Sequence, residues 1–559
     1  MKDKVQINQF PFHKDTISQL KNHNYGKNWP VVYILNNEKM LYVGETSNAQ
    51  SRMNQHLKDH KRKSFKNIRF IYNEKFNKSA ILDIESLLIS YLNGDGVYKL
   101  QNGNAGTSRN HNYYQREVYR QMFDVIWCEL KQQGLVQSDL KVIENSQLFK
   151  YSPYKTLNDD QYHVMIEILT KILTNENGCK FIVHGGAGTG KSILAIFLMK
   201  LLCDAKNYES KDNYTILEAV TNISSFNYQN IALVVPQTSL RNTLKNVFKN
   251  IDGLRASMVI GPSEVMKKDY DILIVDEAHR LKQRRNITNF KSHDDINKKL
   301  NLGKDGTELD WILTRSKFQI LFYDQNQSIK GSDITSKSFQ DKIENGITFD
   351  YYLKQQMRVQ AGVSYSIMLK DIFDTTKTPS KQSFNEYEFI LYDDVETMRK
   401  KIIEKNNEFG LSRMVAGYAW QWSTKGKSYN EIIEEGLFDI EIENYHYIWN
   451  TVDKDWVNST HAIDEVGCVH TVQGYDLNYA GVIIGPELSY DKKNNQIVFN
   501  KALFKDKKVL NGSSEKELQD YILNTYYVLL SRGIKGTYVY ACDKSLQEYL
   551  SLWIKKEQE

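Results

Sequence analysis

The stretch Phe181-Ile-Val-His-Gly-Gly-Ala-Gly-Thr-Gly-Lys-Ser192 decides how the middle of this chain folds. Apolar residues at its start predict a buried strand, and the apolar run at residues 193–202 predicts a helix. Gly185, Gly188 and Gly190 let the backbone turn tightly, so that successive N–H groups point at one anion. The start of the helix adds its positive dipole end. This order of strand, glycine-rich turn and helix predicts a phosphate-binding loop.

Four side chains around this loop predict an ATP-hydrolysing site. Lys191 is expected to reach the β- and γ-phosphates, and Ser192 is expected to bind Mg²⁺. Further along, Asp271-Ile-Leu-Ile-Val-Asp276-Glu277 is an apolar strand that ends in two acids, where α/β sheets bind their ligands. The pattern predicts that Asp276 also holds the Mg²⁺ and that Glu277 activates the attacking water.

The composition is that of an ordinary globular protein. The chain has 559 residues, a net charge of +5, 41% hydrophobic residues and 25% charged residues, and this length suggests about three to four domains. The five cysteines include no C-x-x-C pair, so neither zinc nor a disulfide framework is expected. Without a signal peptide or a long apolar run, we expect a cytoplasmic protein with no membrane partner.

Two apolar runs near the N-terminus predict a β-hairpin. They are Pro30-Val-Val-Tyr33-Ile-Leu and Lys39-Met-Leu-Tyr42-Val-Gly44, with turn residues between them. A predicted helix follows, on which Arg52 and His56 are four residues apart and share one face. Glu85 lies on a later predicted helix.

This arrangement resembles the GIY-YIG nuclease family. Val32-Tyr33-Ile34 stands where the family has GIY, with valine in place of glycine, and Tyr42-Val43-Gly44 stands for YIG. The positions of Arg52, His56 and Glu85 also match the family. The departure at the first motif bears on the hairpin geometry and leaves the chemical groups in place.

The resemblance covers about residues 28–105 and includes Asn102 as the family's late asparagine, with Asn104 as the alternative match. It implies a phosphodiester endonuclease. Its implied catalytic residues are Tyr33, Tyr42, Arg52, His56, Glu85 and Asn102, with Glu85 as the metal ligand.

Phosphodiester cleavage needs these residue types independently of the family. Tyr42 or Tyr33 can position or deprotonate a water, with His56 assisting. Glu85 can hold one Mg²⁺ that keeps waters in its shell, and Arg52 can stabilise the developing charge. The structural alternative is that the tyrosines are core aromatics and the charged residues are surface groups, but all five in order favour a nuclease.

A connector is expected between residues 106 and 150. The segment Tyr113 to Gln133 predicts one amphipathic helix, and Gly134 ends it. We expect this connector to link two units without being catalytic. Residues 204–228 are polar and predict an inserted loop. The apolar residues of the predicted helix are Val118, Met122, Val125, Ile126 and Leu130.

Further motifs complete the nucleotide site. Gln161 precedes the phosphate loop and is expected to read the adenine edge, with a surface glutamine as the alternative. Gln327 follows another predicted strand and is expected to sense the γ-phosphate. Arg358 and Arg532 are expected to reach the γ-phosphate as arginine fingers. The aromatic run Gly417-Tyr-Ala-Trp420-Gln-Trp422 predicts either base stacking or core packing.

The order of these motifs resembles the superfamily 1 helicases, and more closely the helicase-like domain of Schlafen-type proteins. The closer resemblance covers about residues 155–550 and implies two RecA-like lobes with ATP between them and single-stranded nucleic acid across the top. The superfamily motifs are Gln161, Lys191, Thr238, Asp276-Glu277, Gln327, Arg358, Gln473 and Arg532. The Schlafen-like segments are Asp276-Glu-Ala-His279-Arg, Ala416-Gly-Tyr-Ala-Trp420-Gln-Trp, His470-Thr-Val-Gln-Gly474-Tyr-Asp and Leu530-Ser-Arg-Gly533.

The predicted fold class is α/β, with a small α+β nuclease domain before two parallel-sheet lobes. The expected divisions are residues 1–105, 106–150, 151–345 and 346–559. The predicted function is a metal-dependent endonuclease coupled to a nucleic-acid-stimulated ATPase that uses ATP and Mg²⁺ against foreign or aberrant DNA. The alternatives are a DNA repair helicase-nuclease and an inert nuclease fold on an ATP-gated nucleic-acid sensor. DNA is favoured over RNA, and partner proteins or a homo-oligomer stay open.

Overall fold

The computed structural model describes residues 5–102, 113–175, 177–203, 230–452, 455–511 and 513–557. Asn104 and the predicted loop at residues 204–228 lie outside the described residues. Within the described segments, no helix combines the length and apolar character needed to cross a bilayer.

A five-stranded sheet forms the N-terminal domain, in the order β1-β4-β2-β3-β5. The predicted hairpin is confirmed, because β2 and β3 pair antiparallel with Tyr33 opposite Gly44. Asn48 and Asn77 cap the two helices that carry the candidate residues. The elements are β1 (Gln6–Pro11), α1 (Lys14–Gln19), β2 (Val31–Asn36), β3 (Met40–Thr46), α2 (Ala49–Lys58), β4 (Asn67–Tyr72), α3 (Lys78–Asp95) and β5 (Lys99–Leu100).

The connector is helical, as predicted, and consists of α4 (Arg116–Gln132), α5 (Leu140–Asn145) and α6 (Gln147–Lys150). The predicted apolar face of α4 is partly wrong, because Val118 and Val125 are exposed. The aromatic residues of α4 take their place in the core, since large rings bury more apolar area than valine does. The buried residues of α4 are Tyr119, Met122, Phe123, Ile126, Trp127 and Leu130.

The first lobe is a six-stranded parallel sheet in the order β11-β6-β10-β9-β7-β8. Because β11 pairs with β6, the first lobe extends beyond the predicted boundary at residue 345. Its elements are α7 (Asp159–Thr174), β6 (Lys180–Gly185), α8 (Lys191–Cys203), β7 (Ile231–Val234), α9 (Thr238–Lys249), β8 (Val259–Ile260), β9 (Tyr270–Val275), α10 (Phe290–Lys299), α11 (Glu308–Arg315), β10 (Ser316–Tyr323), α12 (Ser336–Ile343) and β11 (Thr348–Leu353).

The second lobe holds another six-stranded parallel sheet, in the order β16-β13-β17-β20-β12-β21. Buried apolar residues of its strands form the core of this lobe. The predicted α/β class with two parallel-sheet lobes is confirmed. The elements are α13 (Gly362–Phe373), β12 (Glu388–Leu391), α14 (Val395–Phe409), β13 (Arg413–Ala416), α15 (Tyr429–Glu434), β14 (Ile440–Ile442), β15 (Tyr445–Tyr447), β16 (Val466–Cys468), α16 (Val469–Val472), β17 (Leu477–Ile484), β18 (Leu488–Asp491), β19 (Gln496–Phe499), α17 (Lys507–Leu510), α18 (Glu515–Leu530), β20 (Gly533–Ala541), α19 (Lys544–Leu550) and β21 (Lys555–Lys556).

Candidate functional site

The glycine-rich loop lies between the end of β6 and the start of α8, as the sequence predicts. Gly188 and Gly190 adopt φ angles of +82° and +79°, which side-chain-bearing residues rarely adopt. The Lys191 ammonium donates to the carbonyl oxygens of Gly185 at 2.6 Å and Gly186 at 2.9 Å. The loop therefore holds the lysine over its own turn, next to the N–H groups at the start of α8.

The two acids after β9 are buried beside the loop. Burial and the neighbouring Glu277 raise the pKa of Asp276 to about 6, opposed by the Ser192 hydroxyl and the Lys191 charge. Burial also acts to raise the pKa of Glu277, but His279, whose Nε2 lies 3.0 Å from Oε2, and Lys191 lower it overall. Glu277 is therefore an anion at neutral pH.

The backbone at Glu277 is strained. Its φ is +55°, in the left-handed region that a residue with a Cβ occupies at a cost of about 1–2 kcal/mol. The turn separates the Glu277 side chain from that of Asp276, whose Oδ1 accepts the Glu277 N–H at 3.1 Å. Strain of this kind is typical of functional positions.

Asp276 fits a divalent cation. Its Oδ2 atom is buried and has no hydrogen-bond partner among the residues that the structure describes. A buried, unpaired carboxylate oxygen is costly unless it meets a cation. Together with the Ser192 hydroxyl, it supplies oxygen ligands of the kind that Mg²⁺ prefers, with phosphate and water completing the shell.

Both predicted arginines line the same cavity, which has a volume of about 250 Å³. The Nε atom of Arg358 lies 2.5 Å from Oδ1 of Asp476. Arg532 is fully buried, and burial and the Arg358 charge lower its pKa to about 9. Because Lys191 of the first lobe also lines this cavity, the two lobes bring cations to one place, beside the Glu277 carboxylate.

The two glutamines occupy different positions. The buried Gln161 amide donates to the carbonyl oxygens of Thr189 at 3.3 Å and Gly190 at 3.2 Å, so it braces the phosphate-binding loop. Its contact with an adenine edge stays a prediction. Gln327 lines the cavity and donates to Asp324, whose Oδ2 is also 3.6 Å from the Lys191 ammonium. Gln327 is therefore joined to the phosphate-binding lysine through one carboxylate.

The N-terminal candidates also converge. The Tyr33 hydroxyl is 2.7 Å from Nε2 of His56 and accepts from Nε of Arg52 at 3.3 Å. The centres of the Tyr33 and Tyr42 rings are 6.3 Å apart. Burial acts to lower the pKa of Arg52, but the charges and hydrogen bonds of Tyr33 and Tyr42 raise it overall. The charge of Glu85 on α3 helps to raise the pKa of Tyr33, after burial and Tyr42. Five predicted residues thus share one site.

Arg62, which the sequence motifs do not identify, determines the tautomer of His56. Its guanidinium lies 3.2 Å from Nδ1 of His56 and 4.0 Å from the centre of the Tyr42 ring. A guanidinium only donates, so Nδ1 accepts and the neutral imidazole carries its proton on Nε2. His56 and Arg52 therefore both donate to the Tyr33 oxygen. Arg62 lies within the basic run Lys61-Arg-Lys63, a pattern typical of a solvated surface, and no local pattern identifies its contact.

Gly44 and Asn102 shape the site without entering this network. A Cβ on Gly44 would lie 2.3 Å from the Tyr33 hydroxyl oxygen, so glycine is required for the tyrosine to cross the neighbouring strand. Asn102 accepts from the Val43 N–H at 3.1 Å and donates to the Val43 carbonyl at 2.8 Å. Asn102 therefore pairs with β3 as a further strand would.

Among the described residues, no group of three metal-ligating side chains is present. A single carboxylate with waters fits the way Mg²⁺ is usually held, so Glu85 alone is compatible with a metal in the N-terminal site. The connector was not expected to be catalytic, yet its last residues Phe149 and Lys150 line the cavity between the lobes, as do Tyr151 and Lys155 directly after it. Sequence spacing contained no signal for this placement.

Two family models match the chain. The model of the Schlafen group 3 DNA/RNA helicase domain matches residues 179–543, and the model of the GIY-YIG catalytic domain matches residues 30–94. The first match spans more than half of the chain, so the protein belongs to the Schlafen group 3 helicase-domain family. It carries a GIY-YIG catalytic domain on the N-terminal side of this helicase domain. Both resemblances predicted from the motifs are confirmed.

Individual relatives are more distant. An uncharacterized protein of Saccharomyces cerevisiae is 29% identical over 401 residues, which cover 66% of this chain and 83% of that protein. Pif1 helicase from Bacteroides, solved with ADP-AlF3 and single-stranded DNA, is 13% identical, with coverage of 67% and 91% and a TM-score of 0.26. The PRRSV helicase is 8% identical, with coverage of 70% and 56% and a TM-score of 0.27.

Proposed function

We propose that this protein is a Mg²⁺-dependent endonuclease coupled to a nucleic-acid-stimulated ATPase. The observation that supports the proposal is the presence of two separate clusters of phosphate-directed side chains. One surrounds Tyr33 in the N-terminal sheet, and the other surrounds Lys191 between the lobes. Each contains a cation for the phosphate, a group able to activate water and a carboxylate suited to a metal.

In the ATPase, the loop N–H groups and Lys191 bind the β- and γ-phosphates. Ser192 and Asp276 would hold Mg²⁺, which when bound neutralises phosphate charge. Glu277, anionic in its buried turn, accepts a proton from the water that attacks the γ-phosphorus. Arg358 and Arg532 stabilise the charge that develops on the transferred group.

In the nuclease, Arg52 binds the scissile phosphate and stabilises its additional charge. Glu85 would hold a Mg²⁺, which when bound polarises the phosphate oxygen. Because His56 and Arg52 both donate to the Tyr33 oxygen, the hydroxyl proton of Tyr33 is available for donation to a water or a phosphate oxygen. Tyr33 thereby positions one reactant.

Tyr42 is the better candidate for activating the water. Tyr33 is fully buried, and burial raises its pKa well above the ordinary value, so it stays protonated at neutral pH. Tyr42 is slightly exposed, with the Arg62 guanidinium over its ring. We assign water activation to Tyr42, with His56 assisting by holding the Tyr33 hydroxyl in place. The raised pKa of Tyr33 is also the observation that favours the inert-nuclease alternative.

A second cavity, of about 420 Å³, offers a place for single-stranded nucleic acid. Lys282 and Lys330 line it from the first lobe, and Trp420 and Trp422 line it from the second. Indole rings stack on bases of any sequence, and the lysines attract the phosphates. Lys425 lies 5.2 Å above the Trp422 ring and adds charge at the same edge. This composition supports binding of nucleic acid but favours neither DNA nor RNA.

The ATPase is tested by steady-state hydrolysis with and without single-stranded DNA or RNA. We expect nucleic acid to raise turnover and Lys191→Ala to reduce it to background, because the lysine is lost from the phosphate loop. Lys141→Ala, at an exposed position of α5, is the matched control and should hydrolyse normally. Wild-type turnover in the Lys191→Ala protein contradicts the proposal.

The nuclease is tested with single- and double-stranded DNA and RNA, in Mg²⁺ and in EDTA, with ATP, a nonhydrolysable analogue or neither. Cleavage should require Mg²⁺ and disappear in Glu85→Gln, while the exposed Glu38→Gln control should cut normally. If the wild type cuts none of these substrates under any condition, the N-terminal domain is an inert fold and the protein is a nucleic-acid sensor. If Glu85→Gln cuts normally, the assigned metal ligand is wrong.

The biological role rests on architecture alone. A nuclease joined to a nucleic-acid motor suits cleavage of foreign or aberrant DNA, with repair of DNA intermediates as the alternative. All five cysteines are free, which agrees with a reducing, cytoplasmic setting. Plaque formation by DNA phages or viruses on host cells that express wild type or Glu85→Gln tests the defence role. Equal protection by both proteins contradicts it.

A further inference from the structure

The end of the connector and the turn after it, residues 147–155, form one wall of the cavity between the lobes, the connector wall. Phe149, Lys150, Tyr151 and Lys155 reach this cavity from α6 and the turn after it. The opposite walls are the phosphate-binding loop and the two arginines already described. The nucleotide site is therefore made from three parts of the chain.

Two hydrogen bonds attach the connector wall to the second lobe. The Tyr151 hydroxyl donates to the Gly474 carbonyl at 2.6 Å, and the Lys150 ammonium donates to the Asp476 carbonyl at 3.2 Å. The same Asp476 carries the carboxylate that pairs with Arg358. These contacts fix the connector beside the cations of the cavity.

Lys155 differs from Lys150, because its ammonium has no hydrogen-bond or carboxylate partner in the part of the chain that the structure describes. It lies 5.3 Å from the centre of the Phe149 ring and lines the cavity. Desolvation lowers the pKa of Lys155 to about 8, with Asp476 raising it and Lys150 lowering it. A desolvated ammonium without an anion is costly and gains free energy when an anion arrives.

The charges of the cavity favour a polyanion. Its described lining contains five cationic side chains and three acidic ones. Asp476 is engaged with Arg358 and Glu277 with His279, so the acids leave cationic charge uncompensated. The cationic residues are Lys150, Lys155, Lys191, Arg358 and Arg532, and the acidic residues are Glu144, Glu277 and Asp476.

We propose that Lys155 is a nucleotide-binding residue whose ammonium contacts the phosphates of a nucleoside di- or triphosphate, so that the connector wall completes the nucleotide site. This inference rests on the proposed ATPase function. It adds a cation that lies outside the helicase-domain match at residues 179–543. Nucleotide affinity therefore depends on the segment that joins the nuclease domain to the lobes.

The test compares the affinities of the full chain for fluorescent ATP, ADP and AMP analogues with Mg²⁺ at low salt. Lys155→Met keeps the apolar stem beside Phe149 and removes the charge. We expect about tenfold weaker binding of ATP and ADP, with AMP changed less than twofold. Lys155→Arg should retain the preference for polyphosphates. The exposed Lys141→Met is the matched control and should bind as the wild type does.

A pH titration separates charge from packing. As pH rises through about 8, Lys155 of the nucleotide-free protein loses its proton, so the ATP affinity of the wild type should fall. The ATP affinity of Lys155→Met should depend less on pH. The other charged groups of the cavity are present in both proteins, and they are Glu144, Lys150, Lys191, Glu277, Arg358, Asp476 and Arg532.

Three outcomes distinguish a failure of the Lys155 inference from a failure of the proposed ATPase. If Lys155→Met binds ATP as the wild type does while Lys191→Ala does not bind, the inference fails and the ATPase proposal stands. Equal losses for ATP and AMP also overturn the inference, because they indicate a packing role. If the folded wild type binds no nucleotide, the proposed ATPase itself fails.

Discussion

The cluster around Tyr33 takes its side chains from one five-stranded sheet and the helices beside it, whereas the cavity around Lys191 is assembled from both lobes and the connector. In the first cluster, Tyr33, His56, Arg52 and Arg62 form hydrogen bonds with one another. In the second, Asp276 Oδ2 has no partner among the described residues. The polar groups of the N-terminal site are therefore hydrogen-bonded to one another, whereas the cavity around Lys191 contains a carboxylate oxygen suited to bind a ligand.

This difference indicates how each site is controlled. A network satisfied within one domain is organised before substrate arrives, so its geometry is independent of the lobes. A cavity that depends on two lobes changes with their separation. The connector contacts both sites. Its Glu144 lines the cavity and accepts a hydrogen bond from Tyr91 of α3 at 2.6 Å, and Asn93 of α3 donates to Ser152, just after the connector, at 3.1 Å. Helix α3 also carries Glu85 of the N-terminal site, so the connector is packed against an element of each site.

The largest expected effect is on ATP turnover in Glu277→Gln. Removing the base that accepts the water proton should lower kcat about 10³-fold, while nucleotide binding persists because the phosphate loop is intact. Steady-state hydrolysis and fluorescent ATP binding measure the two quantities. Glu344→Gln, at an exposed position of the same lobe, is the control. Unchanged turnover in Glu277→Gln would show that another group activates the water.

Gly44→Ala should damage only the N-terminal site. The new Cβ would meet the Tyr33 hydroxyl oxygen at 2.3 Å, which forces the tyrosine away from His56 and Arg52. We expect cleavage to fall about 10²-fold and ATP turnover to stay within twofold. Gly303→Ala, where a Cβ meets nothing within 4 Å, controls for the substitution itself. A parallel loss of ATP turnover would indicate that the two regions are not independent.

The smallest expected effect is a pH-dependent change in the stability of the second lobe. Burial raises the pKa of Glu487 to about 7, against a hydrogen bond from Tyr526. The folded carboxyl therefore holds its proton more tightly than the unfolded one, so wild-type stability falls as pH rises from about 4.5 through 7. Glu487→Gln lacks this loss and should be more stable than wild type by about 3 kcal/mol at pH 8.

Denaturant unfolding at pH 5 and pH 8 measures that difference. The stability advantage of Glu487→Gln should be about 1 kcal/mol at pH 5 and should rise to about 3 kcal/mol at pH 8. Since Glu487 lines neither candidate cavity, cleavage by the N-terminal domain should not change. An equal stability difference at both pH values would show that ionisation of Glu487 is not the cause.

Sequence spacing predicted those parts of the sites that are local in the chain. The phosphate loop, the hairpin tyrosines and the i,i+4 pair Arg52 and His56 sit on adjacent elements, so a motif determines their geometry. Lys155 and Arg62 could not be assigned in this way. Arg62 contacts the Tyr42 ring on another element, and Lys155 shares a cavity with residues distant along the chain, so charge patterns do not encode either placement.

The apolar face of α4 illustrates the same limit. Helical periodicity correctly indicated a helix, but Val118 and Val125 face solvent because neighbouring aromatic residues occupy the interface. Likewise, the first lobe extends beyond the predicted boundary at residue 345 because β11 pairs with β6, which lies far from it along the chain. Element type follows from local pattern, whereas the choice of partner follows from tertiary packing.

The central claim is that one chain carries two distinct phosphate-directed centres, each with its own catalytic residues. The most direct test measures each site variant in the assay of the other site. Without nucleotide, Lys191→Ala should cleave nucleic acid at the wild-type rate, and Glu85→Gln should hydrolyse ATP at the wild-type rate. Loss of both activities in either variant, with the fold intact by circular dichroism, would contradict the claim and indicate a single shared centre.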